Sequence, residues 1–235
     1  VLLTELEDKE LDKDSKKIIR GSLYEKYFDG VIRNNSEILT SSSVALPVLE
    51  NYRSFLKALN SILLKRKVTI LSKEVNLFTT NVDIFLEKAL EDTNLEYNDG
   101  FNGRFKPKFS LSNFKKTRAK KSLHFDNIAE LPVFNLLKLH GSLTWEIDGR
   151  EVIFSNDLKH VNEIENKVSS SDHFIDILDG ATIESLVMAA KEKPLTPSMN
   201  AFMEAYEKLL IVVNPTKEKI KHTLMNQTYY ELLRL

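Results

Sequence analysis

A short apolar run that passes directly into an amphipathic helix constrains the fold of this chain more than any other feature. Residues 75–80 are mostly apolar or β-branched and have the length of a buried strand. Apolar residues then recur with the period of a helix, at Val82, Phe85, Leu86, Ala89 and Leu90. Thr80 or Asn81 is placed to cap this helix. The turn is therefore predicted at the carboxyl end of a strand, where open α/β sheets bind their ligands.

Further apolar runs indicate more strands. Val133 to Leu139 is one such run, and Leu209 to Val213 is another, with a helix predicted from about Thr216. Residues 145–154 predict a hairpin with an Asp-Gly pair at its turn. Because buried strands alternate with helices, we predict an α/β fold with a Rossmann-like parallel sheet and helices on both faces.

The chain is predicted to have two parts. Residues 1–67 form an N-terminal helical segment, and residues 68–235 form the core, with an inserted loop at 98–132 and a hairpin and helical module at 143–208. The strongest helix of the first part begins at Pro47. We expect one buried stripe along it, made of Val48, Tyr52, Phe55, Leu56, Leu59, Ile62 and Leu63.

Composition excludes several classes of protein. With no cysteine in 235 residues, the chain has no disulfide, no thiolate nucleophile and no cysteine-based metal site. Thirty-three basic and 34 acidic side chains leave a net charge of −1, so no global field attracts nucleic acid or a membrane. The apolar runs are far shorter than the roughly 20 residues that span a bilayer. We therefore expect a soluble, cytoplasmic protein that has no contact with membranes.

Two predicted strand ends carry polar residues that a simple core does not require. Asn81 and Asp83 follow the first strand, and His140 follows the run that starts at Val133. If these strands are neighbours in a parallel sheet, an amide, a carboxylate and an imidazole meet at one edge, where they can orient a polar ligand and a water. Two simpler alternatives stay open, namely that Asn81 and Asp83 only cap a helix and that His140 is only a turn residue.

Residues 104–121 form a basic stretch with eight lysines and arginines and no acidic residue. Phe105, Phe109 and Phe114 lie among these cations, which is a pattern suited to stacking on nucleic-acid bases. A solvated loop and a surface that docks another protein are the alternatives, and we favour the protein partner. The four remaining histidines lack the spacing of metal ligands, so we predict no metal site; they are His124, His160, His173 and His222.

The two strand ends together resemble the signature of the sirtuins. The matching segments are residues 78–83 (Phe-Thr-Thr-Asn-Val-Asp) and residues 139–142 (Leu-His-Gly-Ser). Residues 98–101, 141–145 and 213–217 extend the similarity to the sirtuin-like NAD hydrolases of bacterial antiphage defence. Within that group the chain is most similar to members that assemble with a HerA-type translocase ATPase. The resemblance covers roughly residues 68 to 235.

This resemblance implies an activity, a site and partners. The activity is hydrolysis of NAD to nicotinamide and ADP-ribose, which depletes NAD during phage infection. Asn81 would hold the nicotinamide ribose and the attacking water, His140 would be the general base, and Asp83 would contact the nicotinamide amide. The other expected contacts with NAD are Thr79, Thr80, Gly141 and Ser142. The implied partners are the ATPase, further copies of the chain and nucleic acid reached through the complex.

Two features of the sirtuin pattern are missing from the sequence. The zinc ribbon of the deacylating sirtuins needs four cysteines, so no zinc is expected and a zinc-free deacylase is the less favoured activity. No glycine-rich phosphate loop precedes Asn81. We interpret this as an incomplete sirtuin-like domain whose natural chain carries that loop and further strands outside these residues. The alternative function is a catalytically silent module that senses nucleotide or scaffolds a complex.

Overall fold

A parallel sheet lies at the centre of the computed structural model, which describes residues 2–39, 45–66, 72–121, 128–170, 174–209 and 211. The α-helices in this part are α1 (Leu2–Asp8), α2 (Lys13–Tyr27), α3 (Asn35–Leu39), α4 (Leu46–Lys65), α5 (Phe85–Asp92), α6 (Lys159–Ser170), α7 (Ile183–Lys191) and α8 (Pro197–Tyr206). A π-helix spans Phe28–Ile32 and a 3-10 helix spans Leu111–Lys115. The strands are β1 (Glu74–Thr79), β2 (Tyr97–Asn98), β3 (Phe101–Asn102), β4 (Lys108–Phe109), β5 (Ala119–Lys121), β6 (Ile128–Glu130), β7 (Val133–Lys138), β8 (Trp145–Asp148) and β9 (Glu151–Phe154).

The central sheet has the strand order β1-β7-β2, and β7 is parallel to both of its neighbours. Every residue of β7 is buried, as expected for the middle strand of a parallel sheet. Strand β1 is an edge strand in the described part of the chain, and Phe78 on it is half exposed. The predicted α/β fold with a parallel sheet is confirmed, whereas the burial expected for the first strand is only partial.

Helices cover one face of this sheet in the part of the chain that the structure describes. Helices α4 and α5 share a core with Phe134 and Leu136 on that face. On the opposite face, Phe114 of the 3-10 helix packs against Leu137, and Phe109 joins the same cluster. Aromatic side chains of the inserted loop therefore cover this second face, and no α-helix contributes to the described cluster there. The Rossmann-like arrangement with helices on both faces stays a prediction.

Helix α4 buries only part of the stripe that the sequence predicts. Its fully buried residues are Leu49, Leu56 and Leu63, which pack against α5 and the sheet. Val48, Phe55 and Ile62 are 43%, 52% and 57% exposed. The two sets are offset by one residue, or about 100° around the helix, so the prediction of a single buried stripe is wrong for the exposed three. Both sets have helical periodicity, and only tertiary packing selects between them.

The N-terminal helices pack against the C-terminal helices of the described chain. Ile18 and Ile19 of α2 share a core with Leu186 of α7. A second core joins the π-helix residues Phe28 and Ile32 to α8 and to the turn that follows β1; its turn members are Val82 and Ile84. The segment that precedes the sheet in sequence therefore supports the carboxyl edge of the sheet.

The predicted hairpin is confirmed, with β8 and β9 paired in antiparallel fashion and Gly149 at positive φ in the turn between them. They join β3 and β4 in a four-stranded sheet. Of the run predicted at 209–213, the structure describes Leu209 and Ile211, both of which are buried. The helix predicted from Thr216 lies outside the described residues. In the described ranges, no helix combines the length and the apolar character that crossing a membrane requires.

The orientation of α4 can be tested by substitution of two adjacent residues. Leu56→Ala removes a side chain that is fully buried, and we expect it to lower the free energy of unfolding by about 2–5 kcal/mol. Phe55→Ala, the matched control, removes a larger side chain that is half exposed, and we expect a change of at most about 1 kcal/mol. Urea denaturation followed by circular dichroism measures both. An equal loss in the two variants would contradict the orientation.

Candidate functional site

The turns that follow β1 and β7 lie side by side at the carboxyl edge of the sheet. The Leu139 amide donates a hydrogen bond to the Thr79 carbonyl (2.9 Å), and the Leu143 amide donates to the Val82 carbonyl (3.2 Å). These two bonds bracket residues 80–81 in the turn after β1 and residues 140–142 in the turn after β7. The prediction that the two strands are parallel neighbours is confirmed, and their polar turns are brought to the same edge.

The turn after β1 is not the first turn of a helix. Helix α5 begins at Phe85, and its N-cap is Ile84, whose own side chain forms no capping hydrogen bond. The predicted cap at Thr80 or Asn81 is therefore wrong. The reason is that Val82 and Ile84 are both drawn into the core beneath the turn, which extends the backbone by several residues before the helix starts.

The side chains of this turn alternate between core and surface. Val82 and Ile84 point into the core, whereas Asn81 is exposed and Asp83 is half buried. The Thr79 hydroxyl accepts a hydrogen bond from the backbone N–H of Asn81 (3.0 Å), and Asp83 Oδ1 accepts one from the backbone N–H of Phe85 (3.1 Å). Asp83 thus supports the start of α5, while the Asn81 side chain remains at the surface for other contacts.

The turn after β7 carries His140, whose half-buried imidazole lies beside the turn that contains Asn81. Burial lowers the pKa of His140 from its ordinary 6.5, so the ring is neutral at pH 7 and able to accept a proton. Gly141 has φ +80°, a conformation that favours glycine, and it forms an antiparallel bridge with Ile211. Ser142 is fully buried, so its hydroxyl lies beneath the turn instead of on its surface.

A buried lysine connects the two turns. Lys138, the last residue of β7, is only 4% exposed, and its Nζ donates to Glu87 Oε1 (2.6 Å), to Ser142 Oγ (3.0 Å) and to the Asp83 carbonyl. Ser142 Oγ also donates to Glu87 Oε1 (3.1 Å) and accepts from the Thr144 hydroxyl (3.1 Å). Sheet, helix α5 and both turns are therefore joined by one polar network in the protein interior.

Sequence reasoning missed this network, although one signal for it exists. Lys138 is the single charged residue inside the apolar run from Val133 to Leu139, and a buried charge needs a partner. The sequence does not identify that partner, because Glu87 is 51 residues away and its own position is that of an ordinary helical glutamate. Only the fold brings the two together.

Aromatic side chains lie near Asn81 and Asp83. Tyr52 of α4 stacks on Phe85, with ring centroids 5.6 Å apart. Burial raises the pKa of the Tyr52 hydroxyl, the Asp83 charge raises it further, and a hydrogen bond with the Asn81 side chain acts in the opposite direction. Burial and the same Asp83 charge also raise the pKa of Tyr27. The edge therefore presents an amide and a carboxylate beside two phenols, a setting suited to a planar polar ligand.

The basic stretch at 104–121 is partly neutralised by acids that are distant in sequence. Pairing of β4 with β9 brings Lys108 to Glu151 (2.7 Å), and Lys106 pairs with Asp148 of the same hairpin. Arg118 forms an ion pair with Glu96. Because these cations have carboxylate partners, this surface carries less uncompensated charge than the sequence alone indicates.

The described residues contain no group of three or more His, Asp or Glu side chains arranged to hold a metal ion. Among the other histidines, His160 lies between Glu146 and Glu163, while His124, His173 and His222 are outside the described residues. Gly21 and Gly30 precede the site, but both lie in helices, and a Cβ on Gly21 would be 2.1 Å from the Phe174 ring. Neither glycine forms a strand-to-helix phosphate loop.

No model of a known protein family matches the chain, and no curated protein matches its sequence. Membership of the sirtuin-like family therefore stays a prediction for this chain.

The buried network generates a test of stability. Lys138→Met leaves Glu87 with an uncompensated charge in the interior, and we expect a loss of about 3–5 kcal/mol in the free energy of unfolding. Adding Glu87→Leu to this variant removes the unpaired charge and is expected to recover part of the loss. Lys108→Met breaks an exposed ion pair and, as the control, is expected to cost about 1 kcal/mol or less. Equal losses for Lys138→Met and Lys108→Met, measured by urea denaturation, would refute the role of the network.

Proposed function

We propose that this chain hydrolyses NAD to nicotinamide and ADP-ribose at the edge formed by the turns after β1 and β7. The observation that carries the proposal is the placement of Asn81 and His140 on adjacent turns of neighbouring parallel strands. That placement agrees with the order and the strand-end positions of the sirtuin-like signature. It also offers an accessible amide and a neutral imidazole at the edge where α/β sheets bind ligands.

In the proposed reaction, a water molecule attacks C1′ of the nicotinamide ribose. The bond from C1′ to the nicotinamide nitrogen breaks through an oxocarbenium-like transition state, and its electron pair leaves with neutral nicotinamide. The water loses one proton to the His140 imidazole, which is neutral before the reaction because burial lowers its pKa. The Asn81 amide orients the ribose and the water, so that the attacking oxygen and the acceptor nitrogen are positioned together.

The nicotinamide end of the substrate is proposed to lie between the turns and the aromatic side chains of Tyr52 and Phe85. One oxygen of Asp83 is engaged by the Phe85 amide, and its other oxygen has no hydrogen-bond partner among the described residues. That oxygen is available to the carboxamide of nicotinamide. The exposed Thr80 offers a further contact from its turn. Gly141 and Ser142 are buried, so they would act from beneath, Ser142 through Lys138 and Glu87.

We further propose, from the resemblance, that the activity belongs to antiphage defence and takes place in an assembly of several copies with a HerA-type ATPase. The described residues include those that are proposed to contact the nicotinamide and the ribose of NAD. Release of nicotinamide by the full-length protein, with and without the ATPase, is the measurement that separates a hydrolase from a silent scaffold.

Substitution of the two proposed catalytic residues tests the reaction. We expect Asn81→Ala and His140→Ala in the full-length protein each to reduce NAD cleavage by about two orders of magnitude or more, the scale for a general acid–base group. Both side chains lie outside the hydrophobic cores, so folding should be retained. Nicotinamide release is followed by chromatography, with circular dichroism on the same samples.

His160→Ala is the matched control for His140, because it removes a partly buried imidazole whose charged neighbours, Glu146 and Glu163, are outside the two turns. We expect it to retain turnover close to that of the unmodified protein. If a folded Asn81 or His140 variant cleaves NAD as fast as the control, the role proposed for that residue is wrong.

The pH dependence provides an independent prediction. The base acts in its neutral form, so kcat/KM should be constant near pH 7 and should fall as the pH drops through the pKa of His140. Because burial lowers that pKa, the midpoint of the acidic limb should lie below 6.5. A profile of kcat/KM between pH 4.5 and pH 8 measures it. A midpoint above 6.5 would assign the limb to a different group.

A further inference from the structure

Asn35, at the start of α3, contacts the turn that carries Asn81 and Asp83. It is 2% exposed, and its Oδ1 accepts a hydrogen bond from the Ile84 amide (3.1 Å). Its Nδ2 donates to the carbonyls of Val31 (2.9 Å) and Ile32 (3.0 Å) at the end of the π-helix. The side-chain amide is therefore satisfied on both its acceptor and its donor side.

The two donor bonds fix the orientation of the Asn35 amide. Reversal of the amide would place its oxygen against two carbonyl oxygens and its NH₂ group against the Ile84 N–H, so only one orientation is stable. The carbonyls are held in place by the π-helix, in which the Arg33 amide donates to the Phe28 carbonyl (2.8 Å). Helices of this type are rare and are frequently found at functional sites. Asn35 can thus present only an acceptor to the turn.

Lys138 contacts the same peptide group from the sheet. The carbonyl of Asp83 and the N–H of Ile84 belong to one peptide bond, and Lys138 Nζ donates to that carbonyl. A peptide bond is planar and trans, so its carbonyl and its N–H point in opposite directions. The peptide between Asp83 and Ile84 is therefore clamped at both ends, by an ammonium that can only donate and by an amide oxygen that can only accept.

We infer that Asn35 is a positioning residue for the candidate site, which acts by fixing the peptide bond between Asp83 and Ile84. If this peptide rotated by 180°, its N–H would face the Lys138 ammonium and its carbonyl would face the Asn35 side-chain oxygen. Two donors would then meet at Lys138 and two acceptors at Asn35, so the clamp excludes the rotation. The fixed peptide sets the direction of the Asp83 side chain and, through the short turn, the place of Asn81 beside His140. The inference rests on the proposed hydrolysis of NAD for its catalytic consequence, but the clamp itself is independent of that activity.

Two substitutions separate the clamp from a role in helix stability. Asn35→Ser keeps a hydroxyl that bonds to the carbonyls three and four residues earlier, as Ser36 does with Arg33 (3.2 Å), but it is too short to reach Ile84. Asn35→Asp keeps an oxygen that accepts from Ile84, but its second oxygen faces the two π-helix carbonyls in place of the donors, so a marked loss of stability is expected. Ser36→Ala is the control, since it removes a hydrogen bond of the same helix without touching the turn.

We expect Asn35→Ser to lower kcat for NAD cleavage by about tenfold or more in protein that remains folded, because misplacement of reacting groups is costly. Asn35→Asp should keep kcat within about threefold of the unmodified protein although its melting temperature falls, and Ser36→Ala should match the unmodified protein. A structural role alone predicts instead that kcat follows the melting temperature. That result would overturn the inference.

Hydrogen exchange at the Ile84 amide, measured by NMR on the full-length protein, distinguishes failure of the clamp from failure of the proposed function. Protection in the unmodified protein, Asn35→Asp and Ser36→Ala, together with its loss in Asn35→Ser, supports the clamp even if no variant cleaves NAD. Equal protection in all four proteins overturns the clamp, whatever the activity. Absence of nicotinamide release from the unmodified protein overturns the proposed function alone.

Discussion

A lysine ammonium buried at the end of the central strand is the constraint on which the carboxyl edge of the sheet depends. Lys138 is nearly inaccessible to water, and an unpaired charge in that position would cost several kcal/mol. Its position is therefore stable only while Glu87 and Ser142 remain in contact with it. These partners lie on α5 and on the turn after β7, so the contacts of the lysine hold the central strand, this helix and this turn together. The same ammonium also reaches the turn after β1.

The geometry of the first turn follows from two requirements that act together. Val82 and Ile84 bury apolar surface, which draws alternate residues inward and sends Asn81 and Asp83 outward. Apolar burial has no preferred direction for the peptide group, however. That direction comes from polar partners, of which Asn35 holds the N–H after Asp83. Hydrophobic packing thus sets the depth of the turn, and hydrogen bonds set its orientation.

The charge and apolar patterns of this sequence do not by themselves show which side chains are paired or buried in the folded protein. The basic stretch has no acidic residue of its own, yet the hairpin brings Asp148 and Glu151 to it, because antiparallel pairing of β4 with β9 joins segments about 40 residues apart. On α4, Phe55 and Leu56 are equally apolar, but one faces solvent and the other the core. The periodicity of apolar residues identifies a helix and the sector of its surface that can be buried. The neighbouring elements then determine which residues of that sector are buried.

The sequence by itself determined the elements that short-range patterns encode: the strand before Asn81, the strand before His140, the hairpin at 145–154 and their arrangement as an α/β fold. The pairing of the first two strands was a conditional prediction, and the sheet meets the condition. Tertiary structure alone decided which face of α4 is buried, where α5 begins, and that Lys138 supports the site from beneath. These features depend on contacts between residues that are far apart in sequence, such as Lys138 and Glu87 at 51 positions, and no local pattern of residues encodes the identity of a distant partner.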